Sequence, residues 1–307
     1  MKLLVALAAL LFFLELSIGP AGMDPYVVQE VRLPRAMGAV AAGLMLALAG
    51  LLLQTAIRNP LADPYMLGVS GVAQLAALAS YVGWRLAGVP YVGYFAGSLA
   101  GATVATALLA YLARRADPLV VVMTGVLMAF VSYSAAQLLL LVLPPEELGF
   151  IYVGLQGSFA AYPAGVLGYG ILSAALALWS IAYLNARHIA VLAHGEDAAA
   201  GLGADVKRAS LLALLVSSIA VGLTVASVGS VGFIGLLAPH MARWLAGRSR
   251  FDKVLWTAAG LGPILALIAD LAVKVLPREI PVGTVLTLVG APAAAYLMWR
   301  HVGRIRG

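Results

Sequence analysis

Apolar positions in this chain come in long unbroken runs. They show neither the period-2 alternation of a half-buried strand nor the narrow stripe of a surface helix. A membrane helix needs ~20 mostly apolar residues. The runs predict spans near residues 3–19, 36–57, 64–84, 88–112, 119–143, 164–184, 209–227, 232–247, 254–275 and 280–299. The stretch 148–186 is too long for one span, and its first part, 154–163, reads as a surface helix or loop. The run 209–242 decides the topology. As one straight helix it would reach ~51 Å, well beyond a ~30 Å hydrocarbon core. Gly229, Gly232 and Gly235 punctuate its middle and Pro239 follows, so it divides into two spans joined by a tight turn.

Charge tests that division. With ten spans and a cytoplasmic N-terminus, 14 Lys/Arg fall inside and five outside; with one span at 209–242 the count becomes nine inside and ten outside. The positive-inside bias therefore predicts ten spans with both termini cytoplasmic. Lys2 and the apolar run after it also resemble a signal peptide, with 17–22 as a cleavage region. The ten-span reading keeps that run as the first span. The expected architecture is an all-α membrane protein, a polytopic bundle forming a single transmembrane domain over 1–307. Its longest hydrophilic segment, 185–208, is placed inside.

Composition excludes the competing classes. Hydrophobic residues make up 63% of the 307 residues and charged residues 10%, against roughly 25% charged in a soluble domain. That mixture cannot cover a water-facing surface, nor does it suit disorder or the short alternating strands of a membrane barrel. The net charge of +6 follows the loops and points to membrane orientation, with no nucleic-acid partner. The absence of cysteine removes disulfides and thiolate chemistry.

Catalytic patterns are missing. The chain has no phosphate loop, no His-Glu-x-x-His and no Gly-x-Ser-x-Gly, and its four histidines lack metal-ligand spacing. The expectation is no catalytic residue, no metal and no cofactor. Ionisable residues within spans are few: Glu15, Asp270 and Lys274. Asp270 and Lys274, four apart, are expected to pair on one helical face, and Glu15 is expected at a solvated outer end. His240 reads as a structural hydrogen-bonding residue. Gly93, Gly97 and Gly101 form a small-residue packing stripe. Ser132, Ser134 and Gln137 are candidate pathway residues, equally readable as helix–helix hydrogen-bonding groups.

Five segments carry a more specific signal: Val31-Arg-Leu-Pro-Arg35; Arg58-Asn-Pro-Leu-Ala-Asp-Pro-Tyr-Met-Leu-Gly-Val-Ser-Gly71; His194-Gly-Glu-Asp-Ala-Ala-Ala-Gly-Leu-Gly203; Gly232-Phe-Ile-Gly-Leu-Leu-Ala-Pro-His-Met-Ala-Arg243; and Glu279-Ile-Pro-Val-Gly283 with Gly290-Ala-Pro292. In this order they resemble the permease subunits of binding-protein-dependent ABC importers for iron chelates, haem and cobalamin, the FecCD-type permeases, over about residues 27–300. The resemblance implies a type II importer permease that works as a homodimer. Two ATPase subunits would bind the ATP, and an extracytoplasmic substrate-binding protein would deliver the chelate. The setting would be a prokaryotic plasma membrane.

The resemblance also assigns roles. Arg32 and Arg35 would meet carboxylates of the binding protein, which suits the bidentate guanidinium fork; Lys274 or Arg278 would be a third docking cation. Asn59 and Leu61, with Pro118 and Leu119, would form the cytoplasmic gate. Gly195, Glu196, Asp197, Ala198, Ala199, Gly201, Leu202 and Gly203 would form the coupling helix on the ATPase. Its first-turn carboxylates suit the helix dipole and its closing glycines suit a helix end. The alternative reading is an ion-coupled secondary transporter using Asp270, Glu15 and Asp63. A non-transporting anchor subunit and an intramembrane enzyme stand behind it.

Overall fold

The computed structural model describes residues 2–19, 22–88, 93–194, 205–247, 250–276 and 280–292. Among them are helices and no strands. The helices are α1 (Lys2–Ser17), α2 (Pro25–Ala56), α3 (Val69–Ala87), α4 (Tyr94–Ala113), α5 (Pro118–Leu140) and α6 (Pro145–Leu155). They continue as α7 (Gly165–Leu184), α8 (Ala186–Val191), α9 (Val206–Val228), α10 (Ile234–Ala246), α11 (Phe251–Lys274) and α12 (Val282–Pro292). Six are long and apolar enough to cross a membrane: α2, α4, α5, α7, α9 and α11. Each of the other four expected spans also holds a helix, namely α1, α3, α10 and α12. The 13 residues of α10 rise only ~20 Å.

The run 209–242 breaks between Val228 and Ile234. Gly229 ends α9 at φ +78, and Phe233 starts α10 at φ +67, a left-handed conformation that costs energy in a bulky residue. Gly290 of α12 makes room for it: a Cβ there would lie 2.5 Å from the Phe233 ring. The surface helix or loop expected over 154–163 is the end of α6 followed by a short 3-10 turn, Phe159–Ala161. Phe159 in that turn is fully buried.

At the centre stands α2, buried along almost its whole length from Ala36 to Ala56. Neighbouring helices reach it at close range because small residues face each other. A Cβ on Gly43 would lie 2.6 Å from the Gly262 carbonyl of α11, and one on Gly50 would lie 1.7 Å from the Gly235 carbonyl oxygen of α10. In lipid, where apolar burial gives no drive between helices, such contact and interhelical hydrogen bonds hold the bundle together. Ser217 of α9 donates to the Ala49 carbonyl at 3.0 Å, and Trp179 of α7 donates to the Leu44 carbonyl at 3.0 Å. The glycine stripe of α4 divides by function. Gly97 and Gly101 meet the backbone of α3, whereas Gly93 caps α4 at φ +82 with open space around it.

Candidate functional site: a neutral cavity and a buried charge cluster

A cavity of about 460 Å³ lies between α3, α5, the end of α6, the α9–α10 turn and α12. Among the described residues its polar lining is uncharged: the amides of Gln74, Gln137 and Gln156, the phenols of Tyr65 and Tyr133, and the hydroxyls of Ser70, Ser132, Ser230 and Thr287. Several of these groups are fixed. Gln74 Nε2 donates to the Leu155 carbonyl at 2.7 Å and to Ser230 Oγ at 2.9 Å. The Val231 amide donates to the Tyr65 hydroxyl at 2.7 Å. The Ser230 carbonyl is wedged between two glycines: a Cβ would come within 2.1 Å of it from Gly157 and 2.6 Å from Gly283. Of the three candidates on the fifth helix, Ser132 and Gln137 line this cavity and Ser134 is not among its lining residues. Tyr65, Gln74, Gln156, Ser230 and Thr287 were not singled out from sequence. The available signal was the glycine pair Gly229/Gly232 with Ser230 between them, beside the Gly283 motif.

The turn after α2 begins with the left-handed Arg58 and is tied by its own backbone. The Asn59 amide donates to the Gln54 carbonyl, and the Leu61 amide to Asn59 Oδ1 at 2.9 Å. Gln54 Nε2 donates to the Ala62 carbonyl at 3.1 Å, while Arg243 of α10 reaches Gln54 Oε1. Asp63 Oδ1 accepts from the Tyr65 amide at 2.8 Å and caps the 3-10 turn Pro64–Leu67. Burial pushes its carboxyl up to about 6 from 3.8. Gly235 is required here for close approach, since a Cβ would lie 2.3 Å from Pro64 Cγ. Pro118 stands at the first position of α5 with Leu119 exposed beside it.

The expected pairing at the other end of the bundle is corrected. Asp270 does not take Lys274. It accepts both donors of the Arg35 fork, Nε and Nη2, each at 2.8 Å. Lys274 instead pairs with the Glu15 carboxylate and donates to the Glu15 backbone carbonyl at 2.9 Å. Glu15 is fully buried, which corrects the expectation of a solvated end. The reason is tertiary: α1 and α2 bring their own charges to α11. A planar fork on α2 also fits a carboxylate better than a lysine one turn away on the same helix. Arg32 Nη1 donates to the Leu16 and Ser17 carbonyls at 2.9 and 3.3 Å. Together with Lys274 it caps the C-terminus of α1, where cations are favoured. Arg32 and Arg35, expected as docking cations, are thus 4% exposed as a whole residue and 15% exposed as a side chain. The expected coupling residues, Gly195 to Gly203, lie outside the described residues, as does Arg278.

The geometry resembles that of known transport proteins. The FecCD transport family model matches residues 3–300. The Fe(3+) dicitrate transport system permease protein FecD of Escherichia coli (strain K12) is 33% identical over 90% of this chain and 86% of its own length. The ferric enterobactin transport system permease protein FepD of the same organism is 33% identical over 90% and 83%. A solved chain, described as of metal-chelate ABC transporter type in an inward-facing conformation, superposes with a TM-score of 0.85 at 26% identity. That match covers 96% of this chain and 97% of that one. With permease relatives and six helices fit to span among the described residues, this is a multi-pass transporter subunit of a prokaryotic plasma membrane. The chain belongs to the FecCD transport family.

Proposed function

We propose that this protein is the membrane-spanning subunit of an ATP-driven importer for an iron chelate. Two copies pair about a two-fold axis, each with ten spans and cytoplasmic termini, and line the pathway between them. Haem and cobalamin belong to the same class of bulky cargo. The observation that carries the reading is the neutral cavity, in a chain matched by the family model over residues 3–300. Amides and hydroxyls on rigid glycine-cradled backbone let a large chelate slide without a tight site. Exposed apolar residues of α5, among them Leu127, Phe130 and Val131, suit a face covered by lipid or by the second copy.

The remaining parts take the following roles. The outer cluster holds three cations (Arg32, Arg35, Lys274) against two carboxylates (Glu15, Asp270), and its surplus positive charge, with Arg278, steers an acidic patch of the substrate-binding protein. Residues 195–203 seat on the ATPase partner, which binds the ATP. The turn at Asn59 and Leu61, with Pro118 and Leu119, closes the inner mouth. The ion-coupled alternative finds less support, because Glu15 and Asp270 are both held in ion pairs.

The test is uptake into liposomes carrying the assembled importer. Gln137→Trp, which fills the cavity from an exposed position, is expected to cut ATP-driven chelate uptake at least ten-fold while ATP hydrolysis continues. Undiminished uptake, or uptake driven by an ion gradient without ATP, would contradict the proposal.

A further inference from the structure

Three arginines converge at a cavity that the transport reading does not use. The cavity, about 670 Å³, lies where α2, α8, α10 and α11 meet. Arg187, Arg243 and Arg250 reach it from three different helix ends, and one carboxylate, Asp252, lies among them. Asp252 pairs with Arg250 at 3.2 Å, so the described lining keeps an excess of positive charge. The rest of the lining is apolar, including Leu51, Ala186 and Val254. Arg243 is anchored by Gln54, whereas Arg187 and Arg250 are exposed.

The surroundings indicate depth. Tyr183 at the end of α7 and Trp256 at the start of α11 form a tilted pair with ring centroids 5.3 Å apart, and both are exposed. Trp244, beside Arg243, is 76% exposed. Exposed Trp and Tyr at helix ends mark the headgroup level of a bilayer, where one side of the ring is apolar and the other wet. A cationic rim over an apolar floor, flanked by such rings, matches a molecule with an anionic head and apolar tails. Basic pockets between membrane helices take phosphate headgroups in this way.

We propose that this cavity binds the phosphate headgroup of an anionic lipid, with its acyl chains running down the α7–α11 flank past Tyr183 and Trp256. An acidic segment of a protein partner would satisfy the arginines but would leave the apolar floor and the exposed rings unexplained.

Native mass spectrometry of the detergent-solubilised full chain, titrated with phosphatidylglycerol or with phosphatidylcholine of the same acyl chains, tests this. A photoreactive phosphatidylglycerol then maps the contact. The anionic lipid is expected to be retained preferentially and to cross-link to α7, α8, α10 or α11. Arg187→Gln with Arg250→Gln, both exposed and so tolerated by the fold, should weaken retention about five-fold per residue, or ~25-fold together. Four outcomes would overturn the proposal: equal retention of the two lipids, no effect of the double variant, cross-links confined to other helices, or displacement of the lipid by the ATPase subunit on assembly. Glycerol 3-phosphate protecting the site as well as the lipid does would assign it to a soluble phosphate and also overturn the lipid claim.

Discussion

Asp270 shows how much one side chain decides here. It is fully buried and receives both arms of the Arg35 guanidinium. Removing one partner of such a pair leaves the other charge without compensation, at a cost of about 3–5 kcal/mol, whereas replacing both by apolar groups is close to neutral. Asp270→Ala is expected to lower unfolding stability in detergent by about 3 kcal/mol, and Arg35→Met combined with Asp270→Leu to recover most of it. A double variant as unstable as the sum of its parts would show that the two residues do not act as a pair. Asp63 gives a pH signature. Its folded value of about 6 lies above the ordinary 3.8, so the folded state binds the proton more tightly. The stabilisation this gives is complete below pH ~4 and is lost as pH rises through about 6. Asp63→Asn keeps the oxygen that caps Tyr65 and removes the titration. The variant should match the parent at pH 4 and exceed it by about 1 kcal/mol at pH 7.5, after allowance for solvent screening at a partly buried site. A stability difference that does not change with pH would contradict this.

At the scale of elements, the legible features were those that depend on one run of sequence. Span length alone exposes the break between α9 and α10, because no 34-residue helix fits a ~30 Å core. Pro60 and Pro64 lack backbone donors and end helices, so the turn after α2 can be read from its own run as well. Features made by two distant runs were not. Arg35 and Asp270 lie 235 residues apart, and nothing on α11 alone says that Lys274 will turn to α1 instead. The cavity combines residues from five segments, each of which carries only an unremarkable Ser, Thr, Gln or Tyr. Gly43 and Gly50 escaped notice because their partners, Gly262 and Gly235, sit on other helices. Their weight can be measured. Gly50→Ala would push a Cβ into the Gly235 carbonyl at 1.7 Å and is expected to block folding or cost more than about 3 kcal/mol. Gly149→Ala in α6 meets nothing within 4 Å and should gain about 0.5–1 kcal/mol from helix propensity. Equal effects at the two positions would mean that helix approach at Gly50 is looser than described.

For the whole molecule, the parts form one transport device. A rigid α2 at the centre carries a charge cluster at one end and a tied turn at the other. The neutral cavity lies between α3, α5, the end of α6, the α9–α10 turn and α12. In the proposed importer an ATPase partner supplies the energy and a second copy completes the pathway. The most direct measurement is the mass of the intact complex, extracted from native membranes in mild detergent after cross-linking. Two copies of this chain with two ATPase subunits are predicted. A complex that contains this chain and no ATPase, with cross-linking shown to be complete, would contradict the account.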